Sequence, residues 1–148
     1  MNAIRFLIVA LLSVAFCLPA QAAPKNRSVV LAKHTTLTID IVPDLGTRFI
    51  FPFVLDEQDQ YVPFTLNLTN PAFVSKREPG RNSFVVTIPP SQTGRSPQYY
   101  GNLFVTVAGY VITVELRSTN DLSKHYSDVT FELGDGEREN LIQKGIAQ

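Results

Sequence analysis

The sequence has no tryptophan, one methionine, two histidines and a single cysteine, Cys17, and its 13 Lys and Arg balance 13 Asp and Glu. Because the formal net charge is zero, the chain offers no broad positive field for phosphate backbones, and we expect no direct binding of nucleic acid. The lone cysteine precludes an internal disulfide, so packing must hold the fold together. A length of 148 residues predicts one modest domain.

The amino-terminal segment has the pattern of a cleaved export signal. One positive charge in Met1–Arg5 precedes an almost unbroken apolar run, Phe6–Leu18, and Ala20-Gln21-Ala22 supplies small residues for a signal peptidase. The apolar run has roughly 13 residues, short of the ~20 that span a bilayer. We therefore predict a signal peptide at 1–22, a periplasmic location and no transmembrane segment in the remainder.

The rest of the chain has the period-two pattern of an all-β protein, with frequent Pro, Gly, Asn and Asp. Aliphatic and polar residues alternate over Thr36–Ile41, which predicts one buried and one exposed strand face. Two β-rich runs, Asn102–Val107 and Tyr110–Arg117, are joined through Ala108-Gly109 and predict a tight hairpin. The fold expected is a β-sandwich or small open barrel of about seven to eight strands.

The carboxyl-terminal residues lose this β character. After Gly134-Asp135-Gly136, the segment Glu137–Ala147 has apolar residues at helical spacing and acidic residues in its first turn, where the helix dipole favours them. We predict a β-sandwich domain at 23–136 and a short helical tail at 137–148. Polar loops are expected at Asp56–Gln60 and at Ser91–Gln98.

Little in the sequence predicts catalysis, a metal or a cofactor. His34 and His125 are far apart and match no metal-ligand spacing, and no Gly-x-Ser-x-Gly motif occurs. Two acidic clusters, Asp56/Glu57/Asp59 and Asp135/Glu137/Glu139, are better explained as a charged turn and a helix amino terminus than as calcium sites. We expect no enzymatic activity, although a catalytic triad whose residues are dispersed along the chain remains an alternative.

Aromatic residues indicate a contact surface. The run Arg48–Leu55 is apolar on both faces around Pro52, which cannot donate to a strand ladder and predicts an edge, a bulge or a contact surface. Tyr99 and Tyr100 follow a polar loop and suit an amphipathic anchor. The candidate interface residues are therefore Phe49, Phe51, Phe53, Tyr99 and Tyr100. The alternatives are burial in the core, which accounts for much of the phenylalanine cluster, and a half-buried strand start for the two tyrosines.

The order of these strands resembles the strand order of a known protein family. An early alternating strand is followed by Arg48–Pro52, then by Asn82–Pro89, and finally by Gly101–Leu116. This order is similar to the amino-terminal domain of TraK-type proteins of conjugative type IV secretion, relatives of the ninth VirB protein and of DotH. The resemblance covers about residues 30–133. Family members usually carry a second β domain that binds a small outer-membrane lipoprotein, and the resemblance does not extend to it.

The resemblance implies a periplasmic structural subunit of a transfer channel. Such a subunit works through contacts with itself and with other envelope-complex subunits, with outer-membrane association as a further expectation. Two alternatives remain at this point: a periplasmic or secreted binding module of chaperone-like or adhesin-like type, and a small secreted hydrolase.

Overall fold

In the computed structural model, residues 24–56, 63–78, 80–90 and 98–145 are described. The predicted signal peptide at 1–22 lies outside these ranges, as do residues 57–60 of the first predicted loop and most of Ser91–Gln98. The described residues form nine strands and one α-helix: β1 Asn26–Val30, β2 His34–Ile41, β3 Thr47–Ile50, β4 Phe64–Leu68, β5 Val74–Arg77, β6 Ser83–Thr87, β7 Tyr100–Val107, β8 Tyr110–Ser118, β9 Asp128–Glu132 and α1 Asp135–Gln143.

The strands form two separate sheets, which confirms the all-β sandwich and excludes a closed barrel within the described residues. One sheet has five strands in the order β1-β9-β3-β6-β5, and the other has four in the order β2-β8-β7-β4. The pairs β1·β9, β3·β9 and β2·β8 are parallel, whereas the remaining pairs are antiparallel.

The chain changes sheets between the first two strands, which explains the additional strand relative to the sequence prediction. Leu31–Lys33 contains no Gly or Pro, so the sequence gives no break signal there. The backbone N–H of Ala32 instead donates to the Thr35 hydroxyl at 3.0 Å. This local turn separates β1 of the five-stranded sheet from β2 of the four-stranded sheet.

The hairpin predicted at Ala108-Gly109 is confirmed. β7 pairs antiparallel with β8, and Val107 lies opposite Tyr110 across a two-residue turn. Both turn residues have positive φ, 50° at Ala108 and 78° at Gly109. This is the backbone that a type I′ turn requires, and glycine adopts it without steric strain.

The core lies between the two sheets and is rich in phenylalanine. Phe51 stacks on Phe131, with 4.7 Å between ring centroids, and on Phe84, at 5.6 Å. Phe53 stacks on Tyr110 of the opposite sheet at 5.9 Å. Close aromatic pairs of this kind add to the stability that burial of their apolar area provides.

The burial of Phe49, Phe51 and Phe53 corrects their prediction as interface residues. All three side chains are at most 1% exposed, so they stabilise the core and are not available at the surface of the folded chain. The edge predicted around Pro52 is also wrong. β3 ends at Ile50, before the proline, and it lies between β9 and β6 in the interior of its sheet.

The carboxyl-terminal helix is shifted slightly from its predicted position. α1 begins at Asp135, two residues before the predicted tail, and ends at Gln143. Gly134 is its amino-terminal cap, and its carbonyl accepts the N–H groups of Glu137 and Arg138. Ile146, which the helical spacing included, lies outside the described residues. The described part of the chain contains no helix long and apolar enough to cross a membrane.

Candidate functional site

The candidate functional site is the face of the four-stranded sheet that points away from the core, and we call it the outer face. Its side chains come from alternate positions of β2, β8, β7 and β4, because their neighbours in sequence point into the core. The outward residues are His34, Thr36, Thr38 and Asp40 on β2; Val111, Thr113, Glu115 and Arg117 on β8; Tyr100, Asn102, Phe104 and Thr106 on β7; and Thr65 and Asn67 on β4.

Three large apolar side chains are exposed on this face. Tyr100 is 59% exposed, Phe104 41% and Val111 38%. Phe104 lies opposite Thr113, and Val111 lies opposite Thr106, so that Phe104 and Val111 are diagonal neighbours on adjacent strands. Diagonal positions lie about 7–8 Å apart, within reach of an aromatic side chain. Phe104 and Val111 therefore form one continuous surface, which we call the apolar patch.

The charged residues of the outer face are confined to one end. Asp40 lies opposite Arg117, and Arg117 lies opposite Tyr100 on the next strand. Glu115 joins this group: its Oε2 accepts a hydrogen bond from the Thr38 hydroxyl at 3.0 Å and lies 3.3 Å from Arg117 Nη2. The rest of the face consists mainly of threonine, asparagine and the apolar patch, and it contains no lysine.

A groove of about 450 Å³ opens at this charged end, where β7 begins and β8 ends. We call it the end groove. It is lined by Thr69, Tyr100, Gly101, Asn102, Glu115, Leu116 and Arg117. Tyr100 therefore belongs both to the outer face and to the end groove. Tyr99, the neighbouring predicted interface residue, is packed partly against the core, and its backbone N–H donates to Ser118 Oγ at 2.7 Å.

No family model matches the chain, and no curated protein matches it significantly. The resemblance to TraK-type proteins therefore rests on the residue pattern alone.

Among the residues that the structure describes, the candidate metal-binding residues form no cluster, and Glu57 and Asp59 lie outside these residues. His34 begins β2, whereas His125 follows a 3₁₀ turn at Leu122–Lys124 and precedes β9. Within the described ranges, no three His, Cys, Asp or Glu residues are close enough to hold a metal ion. Asp135, Glu137 and Glu139 are exposed on α1, as expected for acidic residues near a helix amino terminus.

The sequence analysis singled out Tyr100, which is exposed on the outer face, but it did not single out Phe104, Val111 or the other residues of the end groove. The sequence does contain a signal that Phe104 points outward, because this residue lies between Leu103 and Val105, which are buried. A large aromatic side chain out of phase with the buried positions of its strand is placed on the outside. The sequence does not predict the groove, because its lining comes from three strands or strand ends that pair only in the folded sheet.

Proposed function

We propose that this protein is a periplasmic structural subunit of a type IV secretion or conjugal transfer envelope complex, and that it binds its neighbours through the outer face. The observation that carries the proposal is the apolar patch, Phe104 and Val111, within a sheet face whose charges are confined to one end. Protein interfaces are enriched in aromatic residues at their centres and depleted there of charged residues such as lysine, glutamate and aspartate.

The location of the family resemblance supports the same face. The run Asn102–Leu116, one of the segments on which the resemblance rests, lies in the β7–β8 hairpin, and this hairpin supplies both residues of the apolar patch. The two strands lie in the middle of their sheet, flanked by β2 and β4. A partner seated on the outer face would thus contact the centre of a rigid four-stranded surface.

A periplasmic or secreted binding module is the second candidate function. The end groove favours it, since ligand sites combine a concave surface with a few convergent polar groups. The two functions differ in oligomeric state: a channel subunit assembles with copies of itself, whereas a binding module remains a monomer.

The test is a charge substitution within the apolar patch. Phe104→Asp puts an unpaired carboxylate where a partner would exclude water, and we expect self-association to weaken by about 30-fold or more, the effect of losing a central contact. Because Phe104 is 41% exposed, the variant should fold. Val74→Asp is the matched control, since Val74 is 44% exposed on β5 of the other sheet.

Light scattering after size-exclusion chromatography, over a range of protein concentrations, measures the assembly. The proposal predicts multimers for the wild type and for Val74→Asp, and monomers for Phe104→Asp. A wild-type protein that stays monomeric alone and with solubilised native envelope overturns it. So does a Phe104→Asp variant that assembles like the wild type.

A further inference from the structure

The end groove has a rigid floor. Gly101 faces inward, and a Cβ at this position would meet Asn70 Cβ at 2.9 Å and the Phe73 ring at 3.3 Å. Asn70 Nδ2 donates to the Tyr100 carbonyl at 2.8 Å, and the backbone N–H of Asn102 donates to Thr69 Oγ1 at 2.8 Å. These contacts fix the backbone of β7 beneath the groove. A fixed site binds its ligand without losing further chain entropy.

The polar side chains that line the groove offer both donors and acceptors, and its two charged residues, Glu115 and Arg117, carry opposite charges. Glu115 and Arg117 form an ion pair with 3.3 Å between Oε2 and Nη2. Each still has hydrogen-bonding capacity, because a guanidinium carries five N–H donors and a carboxylate has two oxygens. The Asn102 carboxamide adds donors and an acceptor beside them. This arrangement is complementary to a neutral ligand that carries many hydroxyl groups.

Tyr100 supplies an aromatic surface at the edge of the groove. Its side chain is 59% exposed, and its hydroxyl donates to Gln98 Oε1 at 2.6 Å. This hydrogen bond fixes the outer edge of the ring. An amphipathic ring of this kind presents an apolar face for C–H groups and is limited to few rotamers.

The position of the groove in the sheet excludes strand addition by a peptide. An extended peptide binds by pairing with a free strand edge. The groove lies over β7 and β8, which are interior strands whose backbone groups pair with each other and with β4 and β2. The ligand is therefore not bound by pairing with a free strand edge, and the side chains that line the groove supply its polar contacts.

From these observations we infer that the end groove binds a neutral oligosaccharide. The apolar face of one pyranose ring packs on Tyr100, and its hydroxyl groups hydrogen-bond to Asn102, Glu115 and Arg117. Neutral sugars match the paired charges, whereas an anionic ligand would meet the Glu115 carboxylate beside Arg117. This binding is separate from the proposed assembly function, because it uses the charged end of the outer face and leaves the apolar patch free.

Isothermal titration calorimetry of the full chain with cellotetraose and with tetra-N-acetylchitotetraose tests the inference. Both probes are neutral β-linked tetrasaccharides, and we expect at least one to bind with a Kd of about 10 μM to 1 mM. Asn102→Ala and Glu115→Gln should each weaken binding about tenfold or more, because each removes a hydrogen-bonding group or its charge. Circular dichroism verifies that the variants are folded.

Two controls separate this inference from the proposed function. Thr106→Ala lies on the same face of β7 but outside the groove, and Phe104→Asp alters the apolar patch; both should bind the sugar as the wild type does. Absence of binding by folded wild-type protein overturns the inference and leaves the assembly result intact. Equal binding by the groove variants overturns it as well. Binding of inorganic phosphate in place of either tetrasaccharide refutes the neutral character of the site.

Discussion

Replacing Phe51 by alanine tests whether this side chain stabilises the core or an interface. The ring is 1% exposed and lies between Phe84 and Phe131, at centroid distances of 5.6 Å and 4.7 Å. Truncating a buried phenylalanine to alanine costs about 3–5 kcal/mol, since transfer energy is lost and a cavity remains. Single domains have a free energy of unfolding of about 5–15 kcal/mol, so Phe51→Ala should remove a large fraction of it.

Urea unfolding, followed by circular dichroism, measures this loss. With a slope of about 1.5 kcal/mol per M, a loss of 4 kcal/mol lowers the urea midpoint by about 2–3 M. Phe51→Leu gives a milder variant that should remain folded. It removes three side-chain carbons, and at about 0.8 kcal/mol for each, the expected loss is about 2 kcal/mol.

The matched control is Phe104→Ala, which removes the same atoms from the outer face. Because Phe104 is 41% exposed, we expect a change of no more than about 0.5 kcal/mol. The reasoning is refuted if Phe51→Leu and Phe51→Ala unfold at the wild-type midpoint but no longer self-associate. That result would place Phe51 at a surface and restore its prediction as an interface residue.

Two further predictions concern the β7–β8 hairpin. Burial, reinforced by the Glu137 carboxylate, raises the pKa of Tyr110 above its ordinary value near 10. The unfolded chain therefore releases this proton first as the pH rises, and the free energy of unfolding should fall by about 1 kcal/mol between pH 8 and pH 11. Urea midpoints at both pH values measure this fall, and Tyr110→Phe should show less of it; an identical fall in both proteins would contradict the assignment to Tyr110. Ala108→Asn should raise the melting temperature by a few degrees, because asparagine tolerates the positive φ of 50° better than alanine. Gly109→Ala should lower the melting temperature, because alanine is strained at the positive φ of this position. Calorimetry measures both changes, and a lower melting temperature for Ala108→Asn would contradict the turn assignment.

Local patterns in the sequence predicted the strands with regular alternation and the tight hairpin. Leu37, Ile39 and Ile41 are buried on β2, as their period-two spacing indicates. Ala108-Gly109 joins β7 and β8, as turn chemistry indicates. In both cases the information lies within a few neighbouring residues, and the tertiary structure imposes no competing requirement.

The run Arg48–Leu55 was misjudged because its outward positions are also apolar. Phe49, Phe51, Phe53 and Leu55 all point inward, so that the period of two persists beyond the end of β3. The outward positions include Ile50 and Pro52, which hide this alternation in the sequence. Tertiary contacts continue the pattern: the N–H of Phe51 donates to the Asn82 carbonyl at 2.8 Å, and Asn82 Nδ2 donates back to the Phe51 carbonyl at 3.0 Å. A partner 31 residues away in sequence cannot be inferred from local propensity.

The β7–β8 hairpin forms part of the family resemblance, and its inward and outward positions differ in what they show about that resemblance. Its inward residues, such as Leu103 and Ile112, fill the core, and any sandwich with strands here requires apolar residues at these places. Similarity at these positions is therefore expected from a shared β pattern alone. Phe104 and Val111 point outward, where folding makes no such demand, and an exposed aromatic side chain needs another explanation. Substitutions at these two positions thus separate a role in assembly from mere likeness of fold, whereas substitutions at the inward positions report only on stability.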